Sequence, residues 1–89
     1  MRNIVLHKRA EKYLERMPKN RQSQMVEALE SVASLEDITQ HSGVKPLSGN
    51  LNGWFRLRVG GYRALLQLRK NGELEIIYVE NIGPRGDFY

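Results

Sequence analysis

The stretch Trp54-Phe55-Arg56-Leu57-Arg58-Val59 alternates from side to side, and after Gly60-Gly61 the chain resumes with Tyr62-Arg63-Ala64-Leu65-Leu66. A two-residue period marks a half-buried strand. A Gly-Gly pair between two such runs predicts a hairpin closed by a primed turn, with both glycines at positive φ. That turn sets the register: Val59 faces Tyr62, Arg58 faces Arg63 and Arg56 faces Leu65. One face then holds Phe55, Leu57, Val59, Tyr62, Ala64, Leu66 and Leu68. The other gathers Arg56, Arg58 and Arg63, with Trp54 beside them. Guanidinium groups crowded on one face repel, and an anion or an acidic partner relieves the repulsion.

The rest of the chain supplies the cover that such a hairpin needs. Ile4-Val5-Leu6-His7 is a short strand candidate. Ala10, Tyr13, Leu14 and Met17 recur at helical spacing between Arg9 and Met17. Pro18 breaks that period, and a second stripe of Met25, Val26, Leu29, Val32, Ala33 and Leu35 runs through Asn20–Leu35. Residues 36–53, including Val44-Lys45-Pro46, read as loop and turn. Lys70-Asn71-Gly72 marks a second hairpin, and Leu74–Val79 forms the last strand. That strand is apolar on both faces, as a central strand is, so its register stays open. Gly83–Tyr89 reads as a loop or tail. The expected fold is α+β in the order β-α-α-β-β-β: an N-terminal strand, a helical hairpin, then a three-stranded antiparallel meander, with the helices on one sheet face and the arginines on the other. Residues 1–89 are expected to form a single domain.

Composition narrows the chemistry. With 40% hydrophobic and 27% charged residues the chain has the balance of a globular protein rather than a disordered one. A net charge of +4 favours anionic partners, either nucleic acid or an acidic protein. The absence of cysteine removes disulfides and thiol catalysis. No apolar run suits a membrane span, and Lys8, Arg9 and Glu11 interrupt any leader-like core, so a cytoplasmic location is expected. His7 and His41 lack carboxylates at ligand spacing, so no metal or other cofactor is expected. His7 reads as a core or edge residue. His41 enters the chemistry only if its loop folds over the arginine face.

Other residues extend the basic face. Lys45 precedes the arginine strand and is placed to reach a phosphate. Arg85 follows the last strand in a Gly-Pro-containing loop, and Phe88 and Tyr89 are placed to stack on a base.

The helix beginning Lys8-Arg9-Ala10-Glu11-Lys12, the Leu47-Ser48-Gly49 turn, the Gly53–Arg63 hairpin and the terminal run Ile82-Gly83-Pro84-Arg85-Gly86-Asp87-Phe88-Tyr89 together resemble the RelE/ParE superfamily of bacterial toxins. The resemblance spans nearly the whole chain. It implies a helical hairpin on a small antiparallel sheet. For RelE-like members it also implies a metal-free endoribonuclease that cleaves mRNA, usually in the ribosomal A site, through attack of the 2′-OH on the neighbouring phosphate. By the same resemblance Arg56, Arg58, Arg63, Arg85 and Tyr89 take the catalytic positions, while Lys45, Trp54, Asp87 and Phe88 are assigned to substrate binding. The implied partners are a cognate antitoxin, mRNA and the ribosome. The chain departs from the family in carrying arginine where some members have lysine, histidine or glutamate for proton transfer. Arginine does not give up its proton, which leaves Asp87 and Tyr89 as candidates. Two alternatives remain open: a ParE-like inhibitor of DNA gyrase, and a degenerate member whose basic face only holds its partner. An antitoxin segment is expected to bind beside an exposed Trp54 and Leu65.

Overall fold

The hairpin forms in the expected register. β3 (Trp54–Val59) and β4 (Tyr62–Asn71) pair antiparallel, with Val59 opposite Tyr62, Arg58 opposite Arg63 and Arg56 opposite Leu65. The turn differs from expectation. Gly60 has φ +58° while Gly61 is not at positive φ, the sign pattern of a II′ rather than a I′ turn. A II′ turn requires left-handed backbone only at its first central residue, so one glycine suffices.

The computed structural model describes residues 1–84. Within them the chain runs β1 (Asn3–Leu6), α1 (Lys8–Arg16), α2 (Lys19–Ser34), β2 (Val44–Pro46), β3, β4 and β5 (Leu74–Pro84). Single 3₁₀ turns lie at Ile38–Gln40 and Gly49–Leu51. The sheet order is β1-β5-β4-β3-β2. The β-α-α-β-β-β order therefore holds, with one addition. Val44-Lys45-Pro46, read from sequence as loop, is a short edge strand antiparallel to β3. An edge position tolerates Pro46, because a proline there deprives no inner neighbour of a donor.

β5 is central, parallel to β1 and antiparallel to β4. This position accounts for its continuous apolar run. Leu66 pairs with Val79 but Leu65 pairs with Asn81, so Glu80 is an extra residue and the strand bulges there. The bulge keeps Ile77, Val79 and Ile82 all on the core side, where each is buried.

α1 packs over β5 and β1, and α2 reaches β1 and β3. The core joins Ala10, Leu14 and Met17 of the first apolar stripe and Met25, Leu29, Val32 and Ala33 of the second to the inner sheet face. Two residues expected in the core lie outside it: Val26 is 38% exposed, and Leu68, beyond the last β3 partner Gln67, is 40% exposed. His7 continues the edge strand β1, its N–H donating to Val79 O at 2.8 Å, and has a second role. It caps α1, its Nδ1 accepting the Arg9 backbone N–H at 3.1 Å. No helix among the described residues is long and apolar enough to cross a membrane.

Candidate functional site

The sheet face turned away from the core is ordered in rungs. One rung runs Lys45 on β2, Arg56 on β3, Leu65 on β4 and Asn81 on β5. The next holds Arg58, Arg63 and Gly83. Lys45 thus lies directly opposite Arg56, and Arg58 directly opposite Arg63. Like charges placed opposite each other destabilise a sheet. Among the described residues no carboxylate pairs with any of the four, since the ion pairs found are Arg2–Glu75 and Arg9–Glu80. The face therefore holds repulsion that a bound anion would relieve.

The loop before β2 closes one side of this face. His41, Ser42, Gly43, Lys45, Arg56 and Arg58 line a cleft of about 440 Å³. His41 is fixed from three directions. Its N–H donates to Ile38 O at 3.1 Å, its carbonyl accepts from Val44 N at 3.0 Å, and its Nδ1 accepts from Gly43 N at 3.0 Å. Ile38, almost fully buried, anchors the preceding turn in the core. Gly43 O accepts from Arg58 N at 2.9 Å, which binds the loop to the arginine strand.

Gly43 is required by this close approach. A Cβ at this position would lie 2.6 Å from Arg58 O and 3.3 Å from His41 Cε1. The first of these is backbone and cannot rotate away. Gly43→Ala is expected to cost about 1–3 kcal/mol and to detach the loop from β3. Denaturant unfolding, together with the amide shift of Arg58, would check this.

The same loop carries a pH response. The Asp37 carboxylate accepts from Thr39 Oγ1 at 2.7 Å and from Thr39 N at 3.0 Å. These bonds hold its pKa below the ordinary 3.8, the hydroxyl contributing most. A carboxylate whose folded pKa is depressed stabilises above its unfolded pKa, and that stabilisation is lost as pH falls through the folded value. The turn that carries His41 is therefore expected to stay intact at neutral pH and to loosen only in acid, below about pH 4. The Thr39 and His41 amide shifts, followed by NMR through an acid titration, would report it.

The structure brings Lys45, Arg56, Arg58 and Arg63 onto one face and adds His41 to them. Arg58 is exposed, whereas Arg56 and Arg63 are half-buried. Arg63 Nε is buried without a hydrogen-bond acceptor among the described residues. Trp54, also half-buried, lies on the same face one rung beyond Arg56, opposite Gln67. Leu65 does not stand exposed beside it. It lies between Arg56 and Asn81 and is 6% exposed. Arg85, Asp87, Phe88 and Tyr89 lie outside the described residues. His41 was conditional on sequence because nothing in its spacing reports a hydrogen bond between Gly43 and Arg58.

A family model described as "ParE toxin of type II toxin-antitoxin system, parDE" matches residues 4–87. No curated protein matches the sequence. Among solved structures, the archaeal RelE–RelB complex from Pyrococcus horikoshii superposes with a TM-score of 0.75 at 24% identity, covering 97% of this chain and 97% of that one. The toxin–antitoxin complex RelBE2 from Mycobacterium tuberculosis gives 0.73 at 22% identity, covering 94% and 98%. The YoeB/ParE toxin from Agrobacterium tumefaciens gives 0.66 at 17% identity, covering 94% and 99%. At these identities the likeness is one of fold.

Proposed function

We propose, on the premise that this chain belongs to the ParE toxin family of type II toxin–antitoxin systems, that it is a single-domain cytoplasmic endoribonuclease that cleaves mRNA in the ribosomal A site and is held inactive by a cognate antitoxin. The observation that carries this reading is the unpaired basic face: Lys45 opposite Arg56, Arg58 opposite Arg63, and a nucleotide-sized cleft beside them. The RelE-type neighbours, both solved as toxin–antitoxin complexes, support the same reading through their fold.

The chemistry suits a site built mainly of arginine. RNA supplies its own nucleophile. The 2′-oxygen attacks the adjacent phosphorus, the P–O5′ bond breaks, and the products are a 2′,3′-cyclic phosphate and a 5′-OH. The proton lost by the 2′-OH is balanced by the one gained at the 5′-oxygen. The protein has to align the attack and stabilise the extra negative charge on the phosphorane. Arg56, Arg58 and Arg63 fill that role, because their planar forks match phosphate oxygens and remain charged. Arg85 and Tyr89 are assigned to the same site, with Asp87 and Tyr89 as the groups that move protons. Lys45 and Trp54 hold the flanking backbone and base, and Phe88 stacks. No step requires a metal or a cofactor.

A second reading, inhibition of DNA gyrase, is favoured by the ParE identity of the matching family model. Pulse labelling after expression without antitoxin separates the two. The ribonuclease reading predicts that methionine incorporation stops before thymidine incorporation. An early stop in thymidine incorporation, with accumulation of cleaved DNA–gyrase complexes, would reverse the assignment.

A further inference from the structure

His41 lines the basic cleft, yet its hydrogen bonding sets it apart from the residues around it. A backbone N–H only donates, so the Gly43 N–H at 3.0 Å makes Nδ1 an acceptor that carries no proton. The neutral ring then bears its one proton on Nε2. Among the described residues Nε2 has no hydrogen-bond partner. In this arrangement the cleft contains three cations and one neutral aromatic ring with a free donor.

We propose that His41 is a nucleobase contact. Its imidazole offers a stacking surface and its Nε2–H a single donor to the base of the nucleotide whose phosphate Arg56 and Arg58 hold. The inference rests on the RNA reading above and assigns a specificity-determining residue to that site. Two other roles conflict with the geometry. A phosphate contact by imidazolium would put a proton on Nδ1, facing the Gly43 N–H. A proton shuttle would need a free lone pair, and the one available is already engaged by Gly43. Stacking and neutral donation require neither change. RNA bases are recognised in this way, on histidine among other rings, through their faces and edge acceptors. The ring is also set in advance, since its loop is tied to Ile38, Val44 and Arg58 by main-chain bonds, so little ordering is left for binding.

Salt dependence tests this, because a neutral base contact releases no counterions while a phosphate contact does. The probes are 2′-O-methyl hexanucleotides of each homopolymer sequence, which lack the nucleophile and cannot be cleaved. Binding is followed by fluorescence anisotropy over a range of salt concentrations. Arg56→Ala and Arg58→Ala are expected to weaken all four oligonucleotides alike, each reducing the logarithmic salt slope by about 0.7. His41→Ala is expected to weaken binding by about tenfold, unequally among the four bases, with the slope unchanged. His41→Phe, which keeps a stacking surface, is expected to recover about threefold of that loss. Both changes leave the Gly43 N–H without its acceptor, but the bonds that fix this loop from Ile38, Val44 and Arg58 are main-chain and survive, so Tm is expected to fall by no more than about 5 °C. Unchanged affinity in His41→Ala, an equal loss on every base, a slope reduced by about 0.7, or no recovery in His41→Phe would overturn the proposal while leaving the RNA reading intact. No binding by wild type, or full binding by the arginine variants, would overturn the RNA reading itself.

Discussion

Arg58→Ala, expressed without antitoxin, is expected to permit growth where the wild-type protein arrests it, and to cleave translated mRNA about 100-fold more slowly. Arg58 is exposed and makes no ion pair among the described residues, so its truncation costs the fold little. The truncation also removes like-charge repulsion, since Arg58 lies directly opposite Arg63. The expected signature is therefore lost activity with an unchanged or slightly higher Tm. Arg63→Ala should lose a similar factor, and the double variant less than the product of the two, because neighbouring charges stabilise one phosphorane as a unit. A folded Arg58→Ala protein that still arrests growth would count against the site. Lys serves as the finer probe. Arg58→Lys keeps the charge but loses the two-pronged geometry, so it should fall between wild type and alanine.

Leu57→Ala is expected to destabilise the protein by about 2–5 kcal/mol and lower Tm by about 10–25 °C. Leu57 is fully buried, between Val44 on β2 and Ala64 on β4. Ala64 is too small to fill the space left behind, so the cavity would persist. A domain of this size has only about 5–15 kcal/mol in total, so the loss is a large share. Leu57 also stands between Arg56 and Arg58 on the same strand, and its removal should blur the cleft that they line. Calorimetry would give the shift. A Tm within about 3 °C of wild type would mean that β3 is not held by this core.

The hairpin, both helices and the basic face were legible in the sequence because each rests on local pattern. Residues 54–59 alternate, Gly60 permits the turn, and the stripes from Ala10 to Met17 and from Met25 to Ala33 keep helical spacing. What was not legible depends on distant partners. β2 is three residues ending in proline, and it is a strand only because β3 offers an edge. The parallel pairing of β1 with β5 and the extra residue Glu80 have no local mark. Leu65 looked exposed because it shares a rung with Arg56, but its depth in the sheet is a property of the whole face. In the site, Arg56, Arg58 and Arg63 followed from register alone, whereas Lys45 reaches the face through the edge strand β2, which the sequence reads as loop. The position of His41 did not follow either, because it depends on a glycine meeting a backbone carbonyl across the sheet edge. The cap that His7 makes was not legible for a related reason: a residue ending a strand can also begin a helix, and only the N–H that it accepts reveals the second role.

Primer extension on mRNA from a translation reaction, with and without the antitoxin-free protein, tests the central claim most directly. The ribonuclease account predicts discrete stops inside the reading frame that vanish when translation initiation is blocked and when Arg58 is replaced by alanine. An absence of stops from a folded, growth-arresting protein would contradict it.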